Sequence, residues 1–113
     1  MIYHLALEAD WMRAQAEGAY RVSTIGRHLD DVGFIHCSFA HQLQPVADAF
    51  YRGRTDVVLL SVEESRVTAP IREENTEGRT DLFPHIYGPL NIDAVVATRP
   101  LASNPDGTLA IAE

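Results

Sequence analysis

Three segments of this chain set a histidine among apolar or aromatic residues: Ile2-Tyr3-His4, Phe34-Ile35-His36-Cys37-Ser38 and Phe83-Pro84-His85-Ile86-Tyr87-Gly88-Pro89. Imidazole changes charge near neutral pH and can donate, accept or ligate, so these are the first residues to ask about chemistry. Strand alternation puts His36 and Ser38 on one face and Ile35 and Cys37 on the other. Cys37 is therefore expected to be a small core residue and not the nucleophilic partner of His36. His36 and Ser38 fall where a strand ends and the chain turns toward a helix, a place where side chains face a crevice. The structural alternative is that Ser38 caps that helix and His36 is a satisfied, half-buried histidine. His4 alone, on an apolar strand, has the pattern of a structural histidine. The two prolines and Gly88 fix the backbone around His85 and Tyr87, which either places those side chains accurately or makes a tight corner.

His28 and His41 lie in polar surroundings and read as surface residues. Three histidines could bind zinc, but no His-x-His or His-x3-His pair exists among His4, His36 and His85, so no metal is expected. Of Glu73 and Glu74, beside Arg72 in a short strand, only one can point into a cleft, and charged residues on an edge strand usually face solvent. Arg21, Arg52 or Arg72 could pair with phosphate oxygens. The candidate set is His4, His36 and His85 for catalysis, with Ser38, Arg72, Glu74 and Tyr87 for substrate binding.

Composition narrows the chemistry. All nine basic residues are arginine. Without lysine there is no Schiff base, pyridoxal anchor or phosphate-loop lysine. A net charge of −7 disfavours a broad nucleic-acid-binding face. The 113 residues suit one domain, 1–113. No stretch reaches the roughly 20 apolar residues of a membrane helix. No basic region precedes the first apolar residues, so no secretory signal is expected. A single cysteine, Cys37, cannot form an internal disulfide. These features lead to the expectation of a cytoplasmic protein with no membrane partner.

The elements that must carry the histidines follow from pattern. Residues 2–7 read as a strand inside a sheet, with Tyr3, Leu5 and Leu7 on one face and Ile2, His4 and Ala6 on the other. Asp10 reads as the N-cap of a short helix through Glu17 that Gly18 closes. Residues 19–32 look irregular, and 33–38 form a second strand. Leu43, Val46, Ala47 and Phe50 have the spacing of a buried helix face, with Pro45 either in the first turn or at a kink, and Gly53 ends the element. Residues 56–62 are apolar on both faces and predict a central strand. Residues 70–74 predict a short edge strand, 75–81 a loop, 82–90 a rigid loop or bent strand, and 92–99 another strand. Asn104-Pro105-Asp106-Gly107 is a turn, after which 109–111 could pair. Strands outnumber helices, and the helices fall in the first half, which predicts an α+β fold.

The segments Ile2-Tyr3-His4, Gly33-Phe34-Ile35-His36-Cys37-Ser38, Phe50-Tyr51-Arg52-Gly53 and Leu82-Phe83-Pro84-His85-Ile86-Tyr87-Gly88-Pro89-Leu90 together resemble the bacterial family of domain of unknown function 952, over residues 1–101. The resemblance implies a compact split β-sheet domain of ADP-ribosyltransferase-like type with two short helices in the first half. It also implies kinship with the branch that includes RNA 2′-phosphotransferases, with His4 matching the first-strand histidine and His36 the second. His85 lies near the third motif, where many members of that superfamily carry a glutamate. None occurs within residues 83–90, a departure from ordinary protein ADP-ribosylation.

The expected function is an NAD- or ADP-ribose-using transferase or hydrolase acting through a histidine-lined cleft. NAD would be a substrate, with no cofactor tightly bound and a small nucleotide as partner. Cleaving the nicotinamide–ribose bond builds positive charge on the ribose, which the protein must orient and stabilise. The alternative is a non-catalytic nucleotide or small-ligand binding domain, and the third reading is a zinc-dependent hydrolase. The acidic balance argues against RNA as substrate. The shared strand-end setting of His4, His36 and His85 predicts that the three line one concavity.

Overall fold

β4 (Val57–Val62) has apolar side chains on both faces, so it is stable only with cover on both sides, and it sits at the centre of a sheet. Its neighbours are β1 (Ile2–Leu7) and β8 (Val95–Pro100), both antiparallel, in the order β1-β4-β8, so β1, expected inside a sheet, lies at its edge. The register runs from Ile2 opposite Val62 to Leu7 opposite Val57, and a bulge interrupts the β4–β8 pairing between Ser61 and Val62. Each face of this sheet buries its own core. Ile2, Ala6, Val58, Leu60 and Val62 pack with Trp11, Tyr20, Ile35 and Ile86 on one side. Leu5, Val57 and Leu59 pack with Leu43, Val46, Ala47, Tyr51 and Leu109 on the other. The structure is a computed structural model that describes residues 1–75 and 81–111. The loop expected over 75–81 therefore falls, at 76–80, outside the described residues.

α1 (Glu8–Glu17) follows β1 without a loop, and its cap lies three residues earlier than the Asp10 cap predicted from sequence. Leu7, in extended backbone, holds the N-cap position with no side-chain bond, and Glu8 and Asp10 lie in the first turn, where the helix dipole favours negative charge. Gly18, with φ of 89°, ends the helix as expected and donates its N–H to the Ala14 carbonyl. The stretch expected to be irregular contains β2 (Ala19–Tyr20), a single bridge between Val22 and His28, and the one-turn helix α2 (Leu29–Val32). His28 lies at the surface as expected, with a side chain 43% exposed, and there caps that helix by accepting from Asp30 N. α3 (Leu43–Phe50) carries Pro45 in its first turn, where the missing N–H costs nothing. Leu43, Val46 and Ala47 are buried as predicted, whereas Phe50 is 44% exposed.

The second three-stranded sheet has the order β3-β6-β5 and consists of β3 (Ile35–His36), β6 (Phe83–Ile86) and β5 (Ile71–Glu74). β6 is its central strand, which resolves the choice between loop and bent strand over 82–90. β5 is the predicted edge. β7 (Leu90–Asn91) pairs with β2. The strand expected over 92–99 begins only at Val95, after a tight turn at Ile92–Ala94. At 104–107 the predicted turn forms, closed by one bridge between Ser103 and Leu109 in place of a strand. Among the described residues, the backbones of the two large sheets are joined by one bridge. Tyr3 and Ser38 exchange both backbone hydrogen bonds at 2.8 Å, and beyond that pair β1 and β3 part.

Candidate active site

Residues directly opposite one another in an antiparallel sheet share a face. In the second sheet one row is Ile35, Ile86 and Ile71, which packs into the first core. The next row is therefore forced to the other face, and it is His36, His85 and Arg72. The rings connect along this row. His36 Nδ1 lies 3.2 Å from His85 Nε2, and His85 Nδ1 lies 3.0 Å from Glu74 Oε1. The Tyr87 hydroxyl donates to the same Glu74 oxygen. With Glu74 as a carboxylate, His85 Nδ1–H donates to it, His85 Nε2 accepts from His36 Nδ1–H, and the lone pair of His36 stands on Nε2. Phe34 stacks on His85 with centroids 4.0 Å apart, Phe83 tilts against His36, and the Arg72 guanidinium carbon lies 5.2 Å from the Tyr87 ring centroid.

A second set of bonds holds the His36 backbone. Cys37 N–H bonds to the Pro84 carbonyl, so the neighbouring His36–His85 pair is of the non-hydrogen-bonded kind and the His36 N–H and C=O face away from β6. They face the gap where β1 and β3 have parted, and side chains fill in for the missing strand. Ser23 Oγ accepts from His36 N at 3.1 Å. His4 Nδ1–H donates to the His36 carbonyl at 2.7 Å, and the Tyr20 hydroxyl donates to His4 Nε2 at 2.9 Å. Across the gap the Tyr51 hydroxyl donates to the Leu5 carbonyl and accepts from Ile25 N. His4 is 3% exposed. Burial holds its imidazole neutral down to about pH 4, an effect that the bond to the His36 carbonyl opposes and the nearby His36 charge reinforces. Burial likewise pushes the pKa values of the Tyr20 hydroxyl and the Cys37 thiol well up, and that of the Tyr51 hydroxyl up to about 12.

The gap encloses a cavity of about 10 Å³ lined by His4, Ser23, His36, Ser38 and Tyr51 among others, which is room for about one water. Ser38, at its edge, is 3% exposed.

The candidate residues divide accordingly. His4 and His36 line the cavity, but His85 does not; it is 2% exposed beneath Phe34 and reaches the cavity through the His36 ring. Of the three histidines expected around one concavity, two line this cavity and the third is bonded to the ring of one of them. Ser38 does not cap the following helix: Gln42 Oε1 accepts from Phe39 N in that position. Of the glutamates, Glu74 turns toward His85, with a side chain 28% exposed, and Glu73 faces solvent. Tyr87 and Arg72 join Glu74. Arg52 instead bonds to the Asp106 carbonyl at the far turn, and Arg21 is exposed. Cys37 is buried in the first core, as the alternation predicts. Tyr20 and Ser23, which hold the site in place, have no signal in the sequence beyond being polar residues in a polar stretch. Among the described residues no three His, Cys, Asp or Glu side chains are grouped to hold a metal ion, and no helix is long and apolar enough to cross a membrane.

A comparison with curated proteins finds no match. Solved structures are similar over nearly the whole chain. The X-ray crystal structure of protein CC0527 from Caulobacter crescentus is 32% identical, covers 97% of this chain and 93% of its own, and superposes with a TM-score of 0.85. The solution NMR structure of CC0527 is 33% identical, covers 95% and 89%, and has a TM-score of 0.79. The sequence pattern of DUF952, described as "Protein of unknown function", matches residues 5–98. With a match of that extent, this chain belongs to the DUF952 family.

Proposed function

We propose that this protein is an enzyme in which His36 transfers a proton, backed by His85 and Glu74, and that its substrate is NAD, ADP-ribose or a related phosphorylated nucleotide. The observation that carries the reading is the bonded series Glu74–His85–His36, which joins a partly exposed carboxylate through a buried imidazole to a half-buried one. Such a series fixes the tautomer of the terminal ring and stabilises the imidazolium that forms when it takes a proton. Glu74 also brings a carboxylate to His85 from the adjacent strand, which offsets the lack of a glutamate within residues 83–90. Arg72, on the same face, is suited to a phosphate group. The ADP-ribosyltransferase-like resemblance supplies the ligand class.

Calorimetry with NAD and with ADP-ribose tests this, together with an assay for nicotinamide release. His36→Ala should weaken binding by about 1–3 kcal/mol, the cost of a lost hydrogen bond to a bound group. It should leave the thermal midpoint nearly unchanged. Tyr87→Phe should reduce binding if the hydroxyl meets ligand and only stability if it packs. No binding of either nucleotide at millimolar concentration, with histidine variants that alter stability alone, would sink the reading. A non-catalytic nucleotide-binding domain is the second reading, favoured by the engagement of both His4 ring nitrogens within the protein and by the burial of His85. Binding without nicotinamide release from NAD is its signature.

A further inference from the structure

The geometry points to Tyr20 as a positioning residue for His36, acting through His4 and the His36 carbonyl. The inference rests on the reading of His36 as the working group, and it assigns His4 a different task from the contact with substrate that its place in the sequence suggests. Both ring nitrogens of His4 are engaged inside the protein, Nδ1–H by the His36 carbonyl and Nε2 by the Tyr20 hydroxyl. That leaves a single neutral tautomer, with the donor directed at His36. Tyr20 is 1% exposed, its ring meets that of His4 edge-on at 5.0 Å, and its strand is tied to Leu90 and Asn91. The rigid framework around α1 and β7 thus reaches His36 through one hydroxyl and one imidazole.

The need for this device lies in the sheet. β3 is two residues long, and the His36 N–H and C=O have no strand on their side. A carbonyl left there without a partner would let the residue rotate or draw in solvent. Ser23 on the N–H and His4 on the C=O clamp the peptide groups on either side of the His36 Cα, and that sets the direction in which its ring leaves the backbone. The ring must then meet His85 Nε2 at 3.2 Å, a contact that a small backbone rotation would lose.

The experiment is NMR on protein labelled with ¹⁵N-histidine, without substrate. Tyr20→Phe keeps the ring and removes the hydroxyl. The expected result is that the ring-nitrogen signals of His36 and His85 move together and that the His4 Nδ1–H proton exchanges about five- to tenfold faster, as the loss of one hydrogen bond implies. His4→Asn, whose amide can still donate toward the His36 carbonyl but cannot reach the Tyr20 hydroxyl, should move the His36 signals about as far as Tyr20→Phe does, while His4→Ala should move them further. Leu43→Ala, in the other core, is the control for stability loss alone and should leave both rings unchanged. If Tyr20→Phe does not fold, the His4→Asn and His4→Ala pair carries the test. Tyr20→Phe or His4→Ala protein that is merely less stable, with His36 and His85 rings unmoved, overturns the inference. Because no nucleotide is used, that failure is distinct from a failure to bind NAD or ADP-ribose.

Discussion

The two three-stranded sheets are built on opposite plans. In the first, each strand is six residues long, the central strand is covered on both faces, and register is pinned by many apolar pairs. In the second, the strands have two to four residues, one face is a row of isoleucines and the other a row of ionisable groups. A sheet with one wet face tolerates charge that a doubly covered sheet does not. The isoleucine row is what makes the polar row possible: it anchors the short strands while the histidines and Glu74 satisfy one another. Apolar burial is therefore concentrated in one sheet and ionisable groups in the other.

The largest effect is expected in the first sheet. Leu60→Ala removes a fully buried side chain from β4 and should cost about 2–5 kcal/mol in urea unfolding, through lost burial and the cavity left behind. A similar loss from an alanine at His36 would contradict the division of labour. Acid tests the seam between the sheets. The unfolded chain protonates His4 near pH 6.5, while the folded one resists until about pH 4. Stability from this group is complete above pH 6.5 and falls as the pH drops toward 4, by up to about 3 kcal/mol. His4→Gln should flatten that part of the profile.

A third test lies just beyond β6. A Cβ on Gly88 would come within 2.9 Å of Ala69 Cβ, so Gly88→Ala should destabilise by about 1–3 kcal/mol and disturb the backbone that carries Tyr87. The smallest effect should come from Glu74→Gln, which keeps an oxygen for His85 and Tyr87 to donate to but removes the charge. Stability should change by less than about 1 kcal/mol, while the His85 Nδ1–H exchanges faster in NMR. A large loss of stability would mean that Glu74 holds the sheet together and is not chiefly an electrostatic partner.

How much of this is legible in the sequence depends on whether a feature is local. β4 declares itself because a short run that is apolar on both faces needs cover on both sides, and only the centre of a sheet provides it. α3 does so because Leu43, Val46 and Ala47 repeat at helical spacing. The placement of Cys37 opposite His36 follows from alternation alone. α2 escapes because four residues have no period, although His28 ahead of Asp30, Asp31 and Gly33 is a cap, an acidic first turn and a stop. The start of α1 is misplaced because Leu7 continues the strand pattern into the helix without a break. Alternation says that one of Glu73 and Glu74 faces the histidines but not which, because that depends on the register of β5 against β6. Tyr20, Ser23 and the retreat of His85 beneath Phe34 are tertiary facts, created when distant segments meet.

The register of β1 has a consequence for how the molecule is made. Leu7 pairs with Val57 and Ile2 with Val62. At about 5–20 residues added per second, the first strand waits roughly 3–10 s on the ribosome for its partner to be synthesised. Through that interval an apolar strand has α1 at its end but no neighbour at its side, and joining the two requires closing a long loop. Before β4 emerges neither side of this strand is paired, and a slower or interrupted translation would lengthen its exposure to mispairing.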